Sequence, residues 1–280
     1  MIRQQSKAWA TAAWMLAPTL FFLVVFTYGP GLYNIASSLP GFPRLFSNPA
    51  NRNLVGVTLS YMMLVVPGSI LLGLGSALLV DGRTPARVMA RAVLFHPVLL
   101  PPVAFAAVWL YLLNPVSSPI QPVLRWIMGG QGNILGSSTT ALVAVALIGI
   151  LKQFGLYMLY FLAGLQGIPV ELKDAAAMDG ANRWQTFWRV VLPLLGPTMF
   201  FVGTVALLDG IKSVDHIFVL TKGGPSDATN ILLYRIFVLG FEYYDVPQAA
   251  ALTTVLLTVL TLIALLTMPK LEKRVHYYGD

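Results

Sequence analysis

The chain has 280 residues, 57% of them hydrophobic and only 10% charged, with a formal net charge of +7; a typical soluble domain is roughly 25% charged. So little polar surface cannot cover a water-soluble fold, and the mean hydropathy of +0.74 agrees, so lipid is the expected solvent for most of the chain. Cysteine is absent, which excludes disulfides and thiolate metal sites. His96, His216 and His276 give no metal-ligand spacing, and the basic residues form no dense aromatic-interleaved stripe of the kind nucleic acid requires.

A membrane-crossing helix needs about 20 mostly apolar residues. In chain order the pattern predicts about six: Trp9–Ile35, Val55–Val80, Ala92–Leu113, Ala141–Gly167, Leu194–Leu208 and Ala249–Met268. Asp209 and Lys212 leave the far end of the fifth open. The first follows a short basic start, Arg3 and Lys7, and is too long for a signal-peptide core, so it reads as an uncleaved span. Pro97, Pro101 and Pro102 in the third predict a bend.

An even number of spans places both termini on one side. That side gathers Arg3, Lys7, Arg83, Arg87, Arg91, Lys173, Arg183, Arg189, Lys270, Lys273 and Arg274. The other holds the smaller set Arg44, Arg52, Arg125, Lys212, Lys222 and Arg235. The positive-inside rule then predicts both termini in the cytoplasm. The expected fold is all-α, one polytopic transmembrane domain over residues 1–280. The external segments Asn114–Thr140 and Val214–Gln248 are too short for a separate domain.

The cytoplasmic loop 169–193 carries the most information. Pro169 suits a first helical turn, and Glu171 and Asp174 complement the positive end of the helix dipole. Ala175, Ala176 and Ala177 favour helix. Asp179-Gly180 ends it, because glycine accepts a left-handed conformation. A second amphipathic stretch follows, with Trp184, Phe187, Trp188 and Val191 at helical spacing. A slim alanine face between a charged start and a glycine bend suits docking into a groove of another protein. A plain interfacial helix would satisfy the aromatic half.

The elements Asp174-Ala175-Ala176, Asp179-Gly180-Ala181 and, a dozen residues on, Leu192-Pro193 resemble the signature loop of ATP-driven (ABC-type) importer permeases. The family's usual glutamate is Asp174 here, one methylene shorter, and Glu171 is placed to share its role. Leu220-Thr221-Lys222-Gly223-Gly224-Pro225, with Ala228-Thr229, Leu232, Tyr234, Ile236 and Phe241, is similar to the carbohydrate-importer branch that includes maltose and glycerol-3-phosphate permeases. Trp14–Pro30, Leu165–Pro169 and the tail Glu272–Tyr277 extend the likeness over nearly the whole chain.

The resemblance implies a multi-pass subunit of the bacterial inner membrane, without catalytic residues, metal or cofactor of its own. It implies a second homologous permease, two ATPase subunits that carry ATP and magnesium, an external solute-binding protein, and a sugar or sugar-like solute. Glu171, Asp174, Ala175, Ala176, Asp179, Gly180, Ala181, Leu192 and Pro193 would then form the ATPase-coupling element. Gly223, Gly224 and Pro225 would lie in an external loop, where an ordinary turn explains the same residues. The chain itself has no phosphate-cradling G-x-x-x-x-G-K-[ST] sequence.

Lys152 is the clear mid-span charge. Its head group either pairs structurally or snorkels, or faces a central pathway with Gln153, Tyr157, Tyr160 and Asp209. The competing function is an ion-coupled secondary transporter, which would predict repeated halves or paired broken helices.

Overall fold

The computed structural model describes residues 14–127 and 132–272, which are helical almost throughout and contain no strand among the described residues. Arg3, Lys7, Lys273, Arg274 and His276 lie outside them.

Five described helices are long and apolar enough to cross a membrane. They are α1 (Trp14–Leu45), α2 (Leu54–Val80), α5 (Ser138–Gln166), the stretch Gly196–Leu220, and the last helix, α9 (Val246–Glu272), over Val246–Thr267. The sixth candidate is a pair, α3 (Pro85–Leu99) and α4 (Pro102–Leu112), bent by 98°. The third expected span, Ala92–Leu113, is therefore two helices meeting at a corner. Pro101 and Pro102 bring no N–H to continue the ladder. Leu100 and Pro101 turn extended, with ψ of 142° and 136°. Pro97, by contrast, is absorbed within α3.

Two other boundaries move. The first span runs on to Leu45 rather than ending at Ile35. A widened π turn at Val24–Tyr28, where the Gly29 amide bonds to the Val24 carbonyl, carries the helix past Pro30. The fifth span does not stop at Leu208: α7 (Gly196–Lys212) continues through Asp209 and Lys212, and α8 (Asp215–Leu220) follows after Ser213. The segment expected as loop after Val214 is thus largely helical, with a further helix at Leu232–Phe237.

The chain divides into two compact units. One holds α1 and the early turns of α9. Within it the Asn34 side-chain amide donates to Thr254 Oγ1 at 3.2 Å and to the Ala250 carbonyl at 3.4 Å. The other holds α2 through α8, where α2 and α5 pack along each other and α7 joins them. Its core is Leu74, Ala77 and Val80 of α2, Tyr157, Met158 and Phe161 of α5, and Val202 and Ala206 of α7. Buried side chains alternate with lipid-type exposed ones such as Leu71, Leu79 and Leu147. That is the pattern of helices packed on one face and bathed in hydrocarbon on the other.

Candidate functional site: a cleft between two specialised loops

The loop after α5 folds as its sequence dictates. Helix α6 (Val170–Met178) starts behind Pro169 with Glu171 in its first turn. It ends in a Schellman motif: the Ala181 amide bonds to the Ala176 carbonyl and the Gly180 amide to the Ala177 carbonyl, each at 3.0 Å, with Gly180 at φ +81°. None of its residues is buried, and Met178 is 89% exposed.

The second stretch opens with a capping box that the sequence reading missed. Asn182 Oδ1 accepts from the Gln185 amide, and Gln185 Oε1 accepts from the Asn182 amide, both at 2.9 Å. The Asn-x-x-Gln spacing was the available signal. Trp184, Phe187 and Trp188 then cluster, with ring centroids 5.4 to 6.2 Å apart. Leu192-Pro193 sits in a short helical turn before α7. Beneath α6 lies an open cleft of about 340 Å³, lined among others by Leu78, Asp81, Lys173, Ala177, Phe187 and Val191. It brings the loop against the end of α2.

A second open cleft of about 310 Å³ sits midway along α5. Lys152, Gln153 and Asp209, expected together, do line it, joined by Lys212, Asp215 and His216. The Lys152 ammonium donates to the carbonyls of Pro97 (2.8 Å), Val98 (3.1 Å) and Leu100 (2.6 Å) and lies 5.7 Å from the Phe105 ring centre. Asp209 is 3.7 Å from the Lys212 ammonium. Tyr157 lies behind the cleft, buried, its hydroxyl donating to Gln153 Oε1 at 2.6 Å, with Asp209 Oδ2 at 3.4 Å from the same oxygen. Tyr160 is not among the lining residues; it packs edge-on against Phe201, ring centres 5.3 Å apart. His216, which gave no metal-ligand spacing, has a different partner. Its ring bonds to the hydroxyl of Tyr61, 155 residues earlier, at 3.0 Å, a partnership with no sequence signal.

Beyond α8, the segment with Gly223, Gly224 and Pro225 is a tight internally bonded turn. The Thr229 hydroxyl lies 2.7 Å from that of Thr221 and donates to the Gly224 carbonyl at 2.8 Å; the Thr229 amide returns to the Gly223 carbonyl at 3.1 Å. The Gly224–Pro225 peptide is cis. Gly223 holds φ +80°, and a Cβ there would stand 2.7 Å from the Tyr234 ring. Among the described residues no group of three or more His, Asp or Glu side chains could hold a metal ion.

The family described as the binding-protein-dependent transport system inner membrane component matches residues 69–277. The chain belongs to this family. Among its relatives is the sn-glycerol-3-phosphate transport system permease protein UgpA of Brucella abortus, 31% identical over 286 residues, 94% of this chain and 95% of that one. The protein of the same name from Agrobacterium fabrum is 29% identical over 281 residues, with the same coverage. In fold the permease matches the bacterial ABC transporter involved in import of the acidic polysaccharide alginate, with a TM-score of 0.83 at 22% identity, covering 98% of this chain and 99% of that one. The alginate transporter crystallised with its pentasaccharide-bound periplasmic protein gives 0.84 at 21% identity, covering 95% of each.

Family membership makes the chain a permease component of a transport system rather than an enzyme. The resemblance read from the loop residues is borne out at the level of the family, and the ion-coupled alternative is not favoured.

Proposed function

We propose that the permease works in the bacterial inner membrane, both termini cytoplasmic, as one of two homologous permease subunits served by two ATPase subunits and an external binding protein. It moves a sugar or sugar-like solute: a sugar, a polyol or glycerol 3-phosphate. ATP and magnesium act on the ATPase subunits. Relatives named as glycerol-3-phosphate permeases at up to 31% identity support that solute class.

The observation that carries the coupling role is α6. Both its ends are fixed by backbone hydrogen bonds and by Pro169, yet none of its side chains is buried within this chain. A short helix in water is marginal on its own. One held rigid with its surface unspent suits a groove in a partner, with Glu171, Asp174 and Asp179 offering charge and Ala175, Ala176 and Ala181 offering closeness. Leu192 and Pro193 join that element to α7. Movement of the ATPases would reach the membrane through the cleft that α6 shares with the end of α2. Lys152, Gln153 and Asp209, with Tyr157 and Tyr160 behind them, border the route of the solute, and Gly223, Gly224 and Pro225 shape the turn at its outer mouth.

Gentle detergent extraction of the tagged permease tests this. An ATPase and a second permease should co-purify, and the reconstituted complex should take up the ligand of its binding protein only with ATP. Recovery of the chain alone, or uptake driven by an ion gradient without ATP, would overturn the reading.

A further inference from the structure

The corner between α3 and α4 has a deficit of hydrogen-bond donors. In a continuous helix the carbonyls of Pro97 and Val98 would accept from the amides of residues 101 and 102. Both are prolines, so neither amide carries a hydrogen. In hydrocarbon such carbonyls need another partner. Lys152, 55 residues beyond Pro97 in the chain, brings one. Its ammonium has three hydrogens and sits within bonding distance of three carbonyls, those of Pro97, Val98 and Leu100.

The sequence of α5 makes the reach possible. Gly155 lies one turn beyond Lys152, on the same face. A Cβ at Gly155 would stand 2.6 Å from the Leu94 carbonyl oxygen, so only glycine lets α3 come this close. Phe105, from the first turn of α4, places its ring 5.7 Å from the same ammonium. One cation thus touches the last turn of α3, the break, and the first turn of α4.

We propose that Lys152 is a positioning residue for transport. Its ammonium replaces the donors that Pro101 and Pro102 lack, fixes the α3–α4 corner, and so sets the wall that Val98, Pro102 and Phe105 give the mid-membrane cleft. With its three hydrogens committed, Lys152 does not serve as the cation that reads a charged solute; it acts through the corner. This rests on the cleft being part of the solute route.

The chain has no cysteine, so one spin label at Val93→Cys on α3 and one at Val108→Cys on α4, both exposed positions, report the corner when this chain is labelled before assembly with its partners. The distance between them is measured in the full complex in the membrane, without solute or nucleotide, and uptake is measured in the same preparation. Lys152→Met should broaden the distance distribution and lower uptake about tenfold, the order expected when part-buried carbonyls lose a charged donor. Lys152→Gln, neutral but with two N–H donors, should broaden it less and retain more uptake, and it carries the test if the methionine variant does not assemble. An unchanged distribution in Lys152→Met, or in Lys152→Gln together with lost uptake where the methionine variant does not assemble, overturns the proposal; with uptake lost, it assigns Lys152 to direct solute contact. A broadened distribution with normal uptake overturns it as well. Absence of uptake in the unmodified complex would instead strike the transport reading, while the distance measurement would still decide the corner.

Discussion

The two loops that flank α7 are built on opposite plans. Both depend on a glycine at positive φ, Gly180 at +81° and Gly223 at +80°. Around Gly180 a Cβ would meet nothing within 4 Å, whereas around Gly223 it would meet Tyr234. The first loop satisfies its backbone with caps and leaves its side chains outward. The second turns its side chains inward: Thr229 is fully buried, and Leu220 and Ile231 are buried beside it. A loop with unspent side chains meets the first requirement of the proposed docking role. A loop whose side chains are committed to itself is shaped to hold a form.

The contrast is broken most severely by Gly180→Val. A β-branched residue is a steric outlier at positive φ, yet the space around it is open, so the damage should be confined to the angle between α6 and the stretch after it. Uptake should be abolished while membrane insertion and the amount of protein stay normal; normal uptake would count against the coupling role. Gly223→Ala should behave the other way. Strain at φ together with the Tyr234 contact should lower the stability of the 221–230 turn by about 1–3 kcal/mol, read as a reduced melting temperature in detergent and faster proteolysis between Lys222 and Asn230. An unchanged melting temperature would mean the turn is looser than its hydrogen bonds imply. The mildest change is Asn182→Ala, which removes one half of the capping box. About 1 kcal/mol of local helix stability should be lost, seen as faster amide exchange at Arg183–Thr186 with near-normal uptake. If uptake instead fell as far as in Gly180→Val, the cap would belong to the coupling element itself.

Much of this was legible in the residues. Five spans declare themselves by length and apolarity, because the bilayer sets a threshold that few other segments meet. Ala175–Ala177 followed by Asp179-Gly180 spells a helix and its stop, and the chain forms both where the pattern places them. Pro101-Pro102 announced a bend but not its 98° or its direction, which depend on what packs on either side. Lys152 stood out as a mid-span charge, but its partners lie more than 50 residues away and are backbone carbonyls, which carry no sequence mark. The Tyr157 and Tyr160 spacing suggested a shared face, but their partners are two turns apart on α7: the Tyr157 hydroxyl lies near Asp209, and the Tyr160 ring packs on Phe201.

The turn between α2 and α3 is lashed by arginines: the Arg91 guanidinium takes the carbonyls of Val80 and Gly82, and Arg87 takes that of Asp81. The lashing ties the end of α2 to the start of α3 beside the cleft that Lys173 of α6 lines. From there α3 runs 15 residues, about 22 Å at the usual rise per residue, and its far end is the one that Lys152 of α5 holds. The helix is thus a strut tied at both ends, one at each cleft.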